Sequence, residues 1–175
     1  MNDFSVKLIK SPTEEDWDLV KYLALLTANK KMINKPTFEW KHKILRARHS
    51  PIRELKFIFE MQIPYYVSVH LCRHVHAQPY VSTQRNDRQD KYDRRKAPQD
   101  TPVTMAFSVN AEELLTIASK RLCSKADEFT QEVIYRCCEL VEEKYPEFKS
   151  LFGPPCVIYG KCFEIYHCRS TKWKS

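Results

Sequence analysis

The sequence predicts an α+β domain, on three observations. Two segments alternate in two-residue steps, and several longer ones recur at three- and four-residue steps behind capping residues. Their order does not follow the strand–helix alternation of a doubly wound sheet. At 175 residues the chain suits a single domain, 1–175, long enough to bury a real core.

"FSVKLI" (4–9) is the first expected strand. "SPTEEDWDLVKYLALLTANK" (11–30) follows as a helix, capped by Ser11 or Thr13, acidic in its first turn, with Trp17, Val20 and Ala24 on one face. "TFEWKHKILRARH" (37–49) is a second helix, begun at Thr37 and ended before Pro51. "LKFIFEMQ" (55–62) alternates Leu55, Phe57, Phe59 and Met61 against more polar neighbours, as a half-buried strand does. Pro64 suits the first turn of a helix over "PYYVSVHLCRHV", and Pro79 ends any continuation. "NDRQDKYDRRKAPQDTP" (86–102) has the composition of a solvated loop. "VTMAFSV" (103–109) is a short strand, and Asn110 an N-cap. From Leu114 through Ala118, Leu122, Ala126, Phe129, Val133, Cys137 and Leu140 one long helical pattern runs to Pro146. The tail after Phe152 is irregular or β-like.

A net charge of +7 points to anionic partners without choosing among nucleic acid, nucleotides and phosphorylated cofactors. With only Gly153 and Gly160, Walker and dinucleotide phosphate loops are excluded, so side chains or helix N-termini must hold any phosphate. No apolar run reaches membrane-spanning length and "MNDFSVKLIK" lacks signal-peptide character, so the expectation is a cytoplasmic protein with no membrane partner. Seven cysteines, an odd count, fit reduced thiols better than a disulfide framework.

"RHVHAQPYVSTQRN" (73–86) is the densest run of functional groups. Arg73 belongs near a helix end, and Arg85 follows the paired hydroxyls Ser82 and Thr83. A guanidinium binds phosphate oxygens bidentately and a hydroxyl donates to the same oxygens, so this is a candidate phosphate or uracil-edge site. Surface loops often share that spacing. His74 and His76 would face together only on a strand, whereas the segment reads as a helix end. Cys156, Cys162, His167 and Cys168 form a possible ligand set. The five residues between Cys156 and Cys162 exceed the two to four usual in zinc knuckles, so buried free thiols are favoured and no metal ligand is assigned. Cys72 lies beside Arg73 with no evident base. Tyr65, Tyr66, Tyr80 and Tyr92 could stack bases, although packing is the commoner role.

These residues resemble the flavin-dependent thymidylate synthases. That family's signature is Arg-His-Arg, seven residues, Ser, and another Arg two positions on. Here Arg73-His74-Val75 is followed by seven residues, Thr83, and Arg85 in register. "HSPIRELKFIFEMQIPYYVSVHLCRH" is similar to the family's Ser-Pro-Phe-Glu-His turn, strand and Pro-led helix. "SVNAEELLTIASKRL" is similar to its Asn-Ala-Arg-Ser-Leu helix, with Arg121 eleven residues after Asn110. Arg94 and Pro98 fall where the family has Ala-Arg-x-x-Leu-Pro. The likeness spans nearly the whole chain. Departures are Val75 for the second arginine, Thr83 for serine, Arg53-Glu54 for Glu-His, Val81 for an acid, Glu112 for the arginine of Asn-Ala-Arg, and a shorter stretch between Arg85 and Arg94.

The resemblance implies a small antiparallel or mixed sheet packed with long helices, in homotetramers whose active sites combine several subunits. It implies FAD, with methylenetetrahydrofolate and NADPH as co-substrates, and transfer of a one-carbon unit to C5 of dUMP. Arg73, Ser82, Thr83, Arg85, Arg94 and Arg121 would bind the nucleotide, Arg73, His74 and Asn110 the flavin, and Arg121 would act on the uracil ring. Alternatives are a related pyrimidine hydroxymethylase and a degenerate nucleotide- or nucleic-acid-binding protein without flavin. Nucleic acid is admitted by the charge but not favoured.

Overall fold

The structure, a computed structural model, describes residues 4–82, 93 and 95–168. It is α+β, built on a four-stranded sheet that is antiparallel throughout. The strands are β1 (Ser5–Lys10), β2 (Lys56–Pro64), β3 (Gln78–Val81) and β4 (Pro102–Asn110), in the order β1-β2-β4-β3. The predicted alternation holds. Phe57, Phe59, Met61 and Ile63 of β2 stand opposite Val109, Phe107, Met105 and Val103 of β4, all eight buried on one face. β3 was not anticipated: it is four residues long, carries Pro79, and owes its place to the free edge of β4.

Helices α1 (Glu14–Leu26), α2 (Phe38–Arg46), α3 (Tyr65–Cys72), α4 (Ala111–Arg121), α5 (Glu128–Lys144) and α6 (Pro155–Ile158) supply the rest, with 3-10 turns at Ser50–Glu54 and Pro146–Phe148. Their starts follow local chemistry. Thr13 closes a full capping box with Asp16, and Thr37, Asn110 and Asp127 each accept a backbone N–H from the first turn. Lys41, buried between α1 and α2, bonds Glu14 at 2.6 and 2.9 Å, lies 3.9 Å from Glu147 and sits over the Trp17 ring. Phe57 meets Tyr145 and Phe148 edge-on, tying the sheet to the end of α5.

Two expectations are corrected. The long pattern from Leu114 to Pro146 is two helices. α4 stops with Leu122 as its C-cap, a turn closes from Cys123 O to Ala126 N, and Asp127 opens α5 by accepting from Thr130 N at 2.8 Å. An N-cap acid offers the backbone a fresh start, and the apolar stripe continues across the break because both helices pack on the same core. The tail, expected to be irregular or β-like, is irregular: it forms α6 and turns, with no strand among the described residues. Nor are its cysteines buried: Cys156 is exposed and Cys162 and Cys168 are half-buried, because too little apolar surface covers them.

Candidate functional site

Arg121 at the C-terminal end of α4 reaches the C-terminal end of α3, where Arg73 and His74 lie, whereas Asn110 caps the opposite end of α4. Arg73 is the C-cap of α3 and Arg121 the last residue of α4. The Arg121 guanidinium leaves its own helix. Its Nε donates to His74 Nε2 at 3.2 Å, and one Nη donates at 3.1 Å to the carbonyl of His70, in the last turn of α3. A cation suits that carbonyl end, where the helix dipole is negative. The salt bridge to Asp127 or Glu128 that spacing would allow does not form; Asp127 is committed to capping α5. Among the described residues no carboxylate pairs with Arg121. Burial, and then the charge of nearby Arg73, lower its pKa from the ordinary arginine value.

His74 is fixed from both sides. Its Nε2 accepts from Arg121, so the neutral ring carries its proton on Nδ1, 3.4 Å from Glu113 Oε1. Burial, and then Arg121, push the imidazole down to about 4. Burial pushes the Glu113 carboxyl above its usual range. The contact is therefore that of a neutral ring with a buried acid, more than an ion pair. His70 completes the wall: its Nδ1 lies 3.0 Å from Thr130 Oγ1, which donates onward to Asp127.

Asn110 caps α4 through Oδ1, accepting from Glu113 N at 2.9 Å, and its NH2 has no partner among the described residues. Ser82 continues the sheet past β3, its N–H donating to Thr104 O at 2.7 Å and its Oγ accepting from Thr104 N at 3.2 Å. Thr83, Arg85 and Arg94 lie outside the described residues. Val75 is 85% exposed beside this cluster. Cys72 is exposed, and burial of part of its surroundings raises its thiol pKa, which disfavours a thiolate nucleophile.

Two of the departures from the resembled pattern are partners. Arg53, where an acid is expected, forms an ion pair through Nε with Glu112, where an arginine is expected. Acid and base stand in exchanged places relative to that pattern, and the pair links the Ser50–Glu54 turn to α4. Sequence reasoning did not single out His70 or Glu113. The spacing Asn110-x-x-Glu113 is that of a capping box and carried a signal for Glu113.

The fold is similar to that of a UMP/dUMP methylase, PolB from Streptomyces cacaoi, whose crystal structure holds 5-Br dUMP. The TM-score is 0.63 and the identity 16%, over 86% of this chain and 96% of that one. No family model matches the sequence, and no curated protein does.

Proposed function

We propose that this chain transfers a one-carbon unit to C5 of a pyrimidine deoxynucleotide, converting dUMP to dTMP. FAD serves as the flavin, and methylenetetrahydrofolate and NADPH as co-substrates. The observation that carries the reading is Arg121: a half-buried guanidinium that no carboxylate pairs with among the described residues, repelled by Arg73, and held by a neutral imidazole. Such a cation is stabilised by an incoming anion. The fold similarity to a UMP/dUMP methylase supports a pyrimidine nucleotide as that anion.

Arg121 stabilises negative charge developing on the uracil ring, which makes C5 nucleophilic, and His74 keeps the guanidinium aimed. Arg73, Ser82, Thr83, Arg85 and Arg94 bind the nucleotide; the roles of Thr83, Arg85 and Arg94 rest on sequence register. No nucleophilic side chain is required, consistent with the raised pKa of Cys72. The donor set fits a flavin: Arg73 is an exposed guanidinium, and the Asn110 NH2 has no partner among the described residues. With His74 these would hold it. A reduced flavin supplies a hydride. Subunits of a homotetramer would complete the site. Among the described residues no helix is long and apolar enough to cross a membrane.

The test is turnover of dUMP with methylenetetrahydrofolate, FAD and NADPH, read as release of the C5 hydrogen and formation of dTMP, beside the flavin spectrum of protein from gel filtration. Nucleotide binding with neither flavin nor turnover would establish the second reading, a binding protein that has lost flavin catalysis. The exposed Val75 in place of an arginine favours that reading.

A further inference from the structure

Helix α1 carries two apolar stripes, and the domain uses one of them. Trp17, Val20 and Ala24 recur at three- and four-residue steps and pack on the core. Leu19, Tyr22, Leu23 and Leu26 recur in the same way, about 140° further round the helix at 3.6 residues per turn. Leu19, Tyr22 and Leu26 are 43, 51 and 56% exposed, and Leu23 is half-buried. Only Trp17 and Val20 of the 13 helical residues are buried. A helix apolar on both sides is suited to a position covered on both sides. None of the residues assigned to the candidate site lies on α1, so the chemistry proposed above does not use this face.

Opposite charges bracket the stripe. Glu15 stands one turn before Leu19, exposed in the first turn of α1. Lys30 stands one turn after Leu26, also exposed; its N–H donates to Leu25 O at 2.9 Å, which keeps it beside the helix end. Among the described residues no ion pair engages either side chain. The connection to α2 runs back along a flank of α1, where Lys35 meets Asp18 at 3.7 Å and its carbonyl accepts from Lys21 Nζ at 2.8 Å. That connection carries Ile33, 88% exposed.

We propose that this face of α1 is a two-fold self-association surface, on which a second copy of the chain packs its own α1 antiparallel. The order acid, apolar stripe, base is self-complementary in one register. With the axis between Tyr22 and Leu23, Leu19 of each copy faces Leu26 of the other, Tyr22 faces Leu23, and Glu15 faces Lys30. A shift by one turn in either direction sets Glu15 or Lys30 against a leucine. A parallel pair sets Glu15 against Glu15 and Lys30 against Lys30. A chain of net charge +7 repels its own copies at a distance, so a self-contact needs local pairing of this kind. The contact is isologous, so both copies bury the same patch and the pair closes on itself. A single helix pair is a small interface, which places its dissociation in the micromolar range.

The test is sedimentation of the full chain across a concentration series, beside amide hydrogen exchange over residues 19–26. Wild-type protein is expected to associate reversibly, with exchange in α1 slowing as concentration rises. Leu19→Glu sets a carboxylate in the stripe at an exposed position that leaves the core untouched, and should weaken association by roughly a hundredfold. Glu15→Lys and Lys30→Glu each bring like charges together at two symmetric places and should weaken it by roughly tenfold. The double exchange should restore it, because acid and base again face each other. Circular dichroism checks that each variant is folded. A wild-type chain that stays monomeric throughout overturns the proposal without any variant, even where another protein is found to bind this face. Undiminished association in folded Leu19→Glu, exchange in α1 that does not change with concentration, or additive losses in the double exchange overturn it as well. Turnover enters none of these measurements, so their failure is distinct from failure of the proposed reaction.

Discussion

Replacing Arg121 by methionine separates a structural role from a catalytic one. The guanidinium makes two hydrogen bonds, 3.2 Å to His74 Nε2 and 3.1 Å to His70 O. Each is charge-assisted and stabilises by about 1.5–3 kcal/mol when its partners are paired. Against this stands the cost of holding a half-buried cation beside Arg73 with no counter-charge, also a few kcal/mol. The two nearly cancel, so Arg121→Met is expected to change folding stability by no more than about 1 kcal/mol and to keep nucleotide affinity through the remaining arginines. Turnover should fall by about a hundredfold or more, the scale of losing one preorganised electrostatic stabiliser. The measurements are a urea melt, nucleotide calorimetry and dTMP formation on the same preparation. NMR of His74 gives a readout independent of activity: without the neighbouring charge its pKa rises from about 4 toward the ordinary value. Near-normal turnover in a folded variant would refute the catalytic reasoning and leave Arg121 as a cap on α3.

Acid stability gives a second prediction. His74 titrates near 4 when folded and near 6.5 when unfolded, so between those values the unfolded chain binds the extra proton. The stability its neutral ring contributes is complete above pH 6.5 and lost as pH falls toward 4, with an upper bound of roughly 3 kcal/mol that solvent screening reduces. Glu113, raised by burial, contributes stability that falls as pH rises and so opposes this slope; Glu113→Gln should steepen the acid loss in urea midpoints, and an unchanged slope would remove Glu113 from the coupling. Lys41→Met leaves Glu147 buried with no cation paired to it among the described residues and is expected to cost on the order of 3 kcal/mol by denaturant melt. Arg53→Glu and Glu112→Arg should each lower the melting temperature, and the double exchange should restore it; additive losses would show that the pair is not coupled. Arg85→Ala should weaken nucleotide binding by about 1.5–3 kcal/mol in calorimetry, with only partial rescue by lysine, and unchanged affinity would remove Arg85 from the site.

What the sequence made legible was local. Thr13, Thr37 and Asn110 announce helix starts because a hydroxyl or amide three residues ahead of a free N–H needs no tertiary help. Phe57, Phe59 and Met61 announce their strand through two-residue alternation. The break between α4 and α5 was hidden because apolar spacing survives it; only Asp127 marks the new start. β3 depends on an edge provided by β4, whose pairing residues lie some distance along the chain. Of the site, Arg73, His74, Asn110 and Arg121 were singled out by their order. The contact between Arg121 and His74 spans 47 residues, and its dependence on Glu113 and His70 exists only once two helix ends meet.

The connection from Val81 to Pro102 joins β3 to the strand it pairs with, from Val81 opposite Met105 to Gln78 opposite Ser108. Loop closure entropy grows only with the logarithm of length, so even halving or doubling this stretch shifts folding free energy by about 0.6 kcal/mol. It is also the stretch in which Thr83, Arg85 and Arg94 occur and in which the chain is shorter than the family it resembles. Evolution and protein engineering thus have an inexpensive variable here: on the proposed function, insertions, deletions or grafts after Ser82 and before Gln99, whose carbonyl accepts from Tyr66 N, would retune which nucleotide is accepted while the sheet keeps its registration.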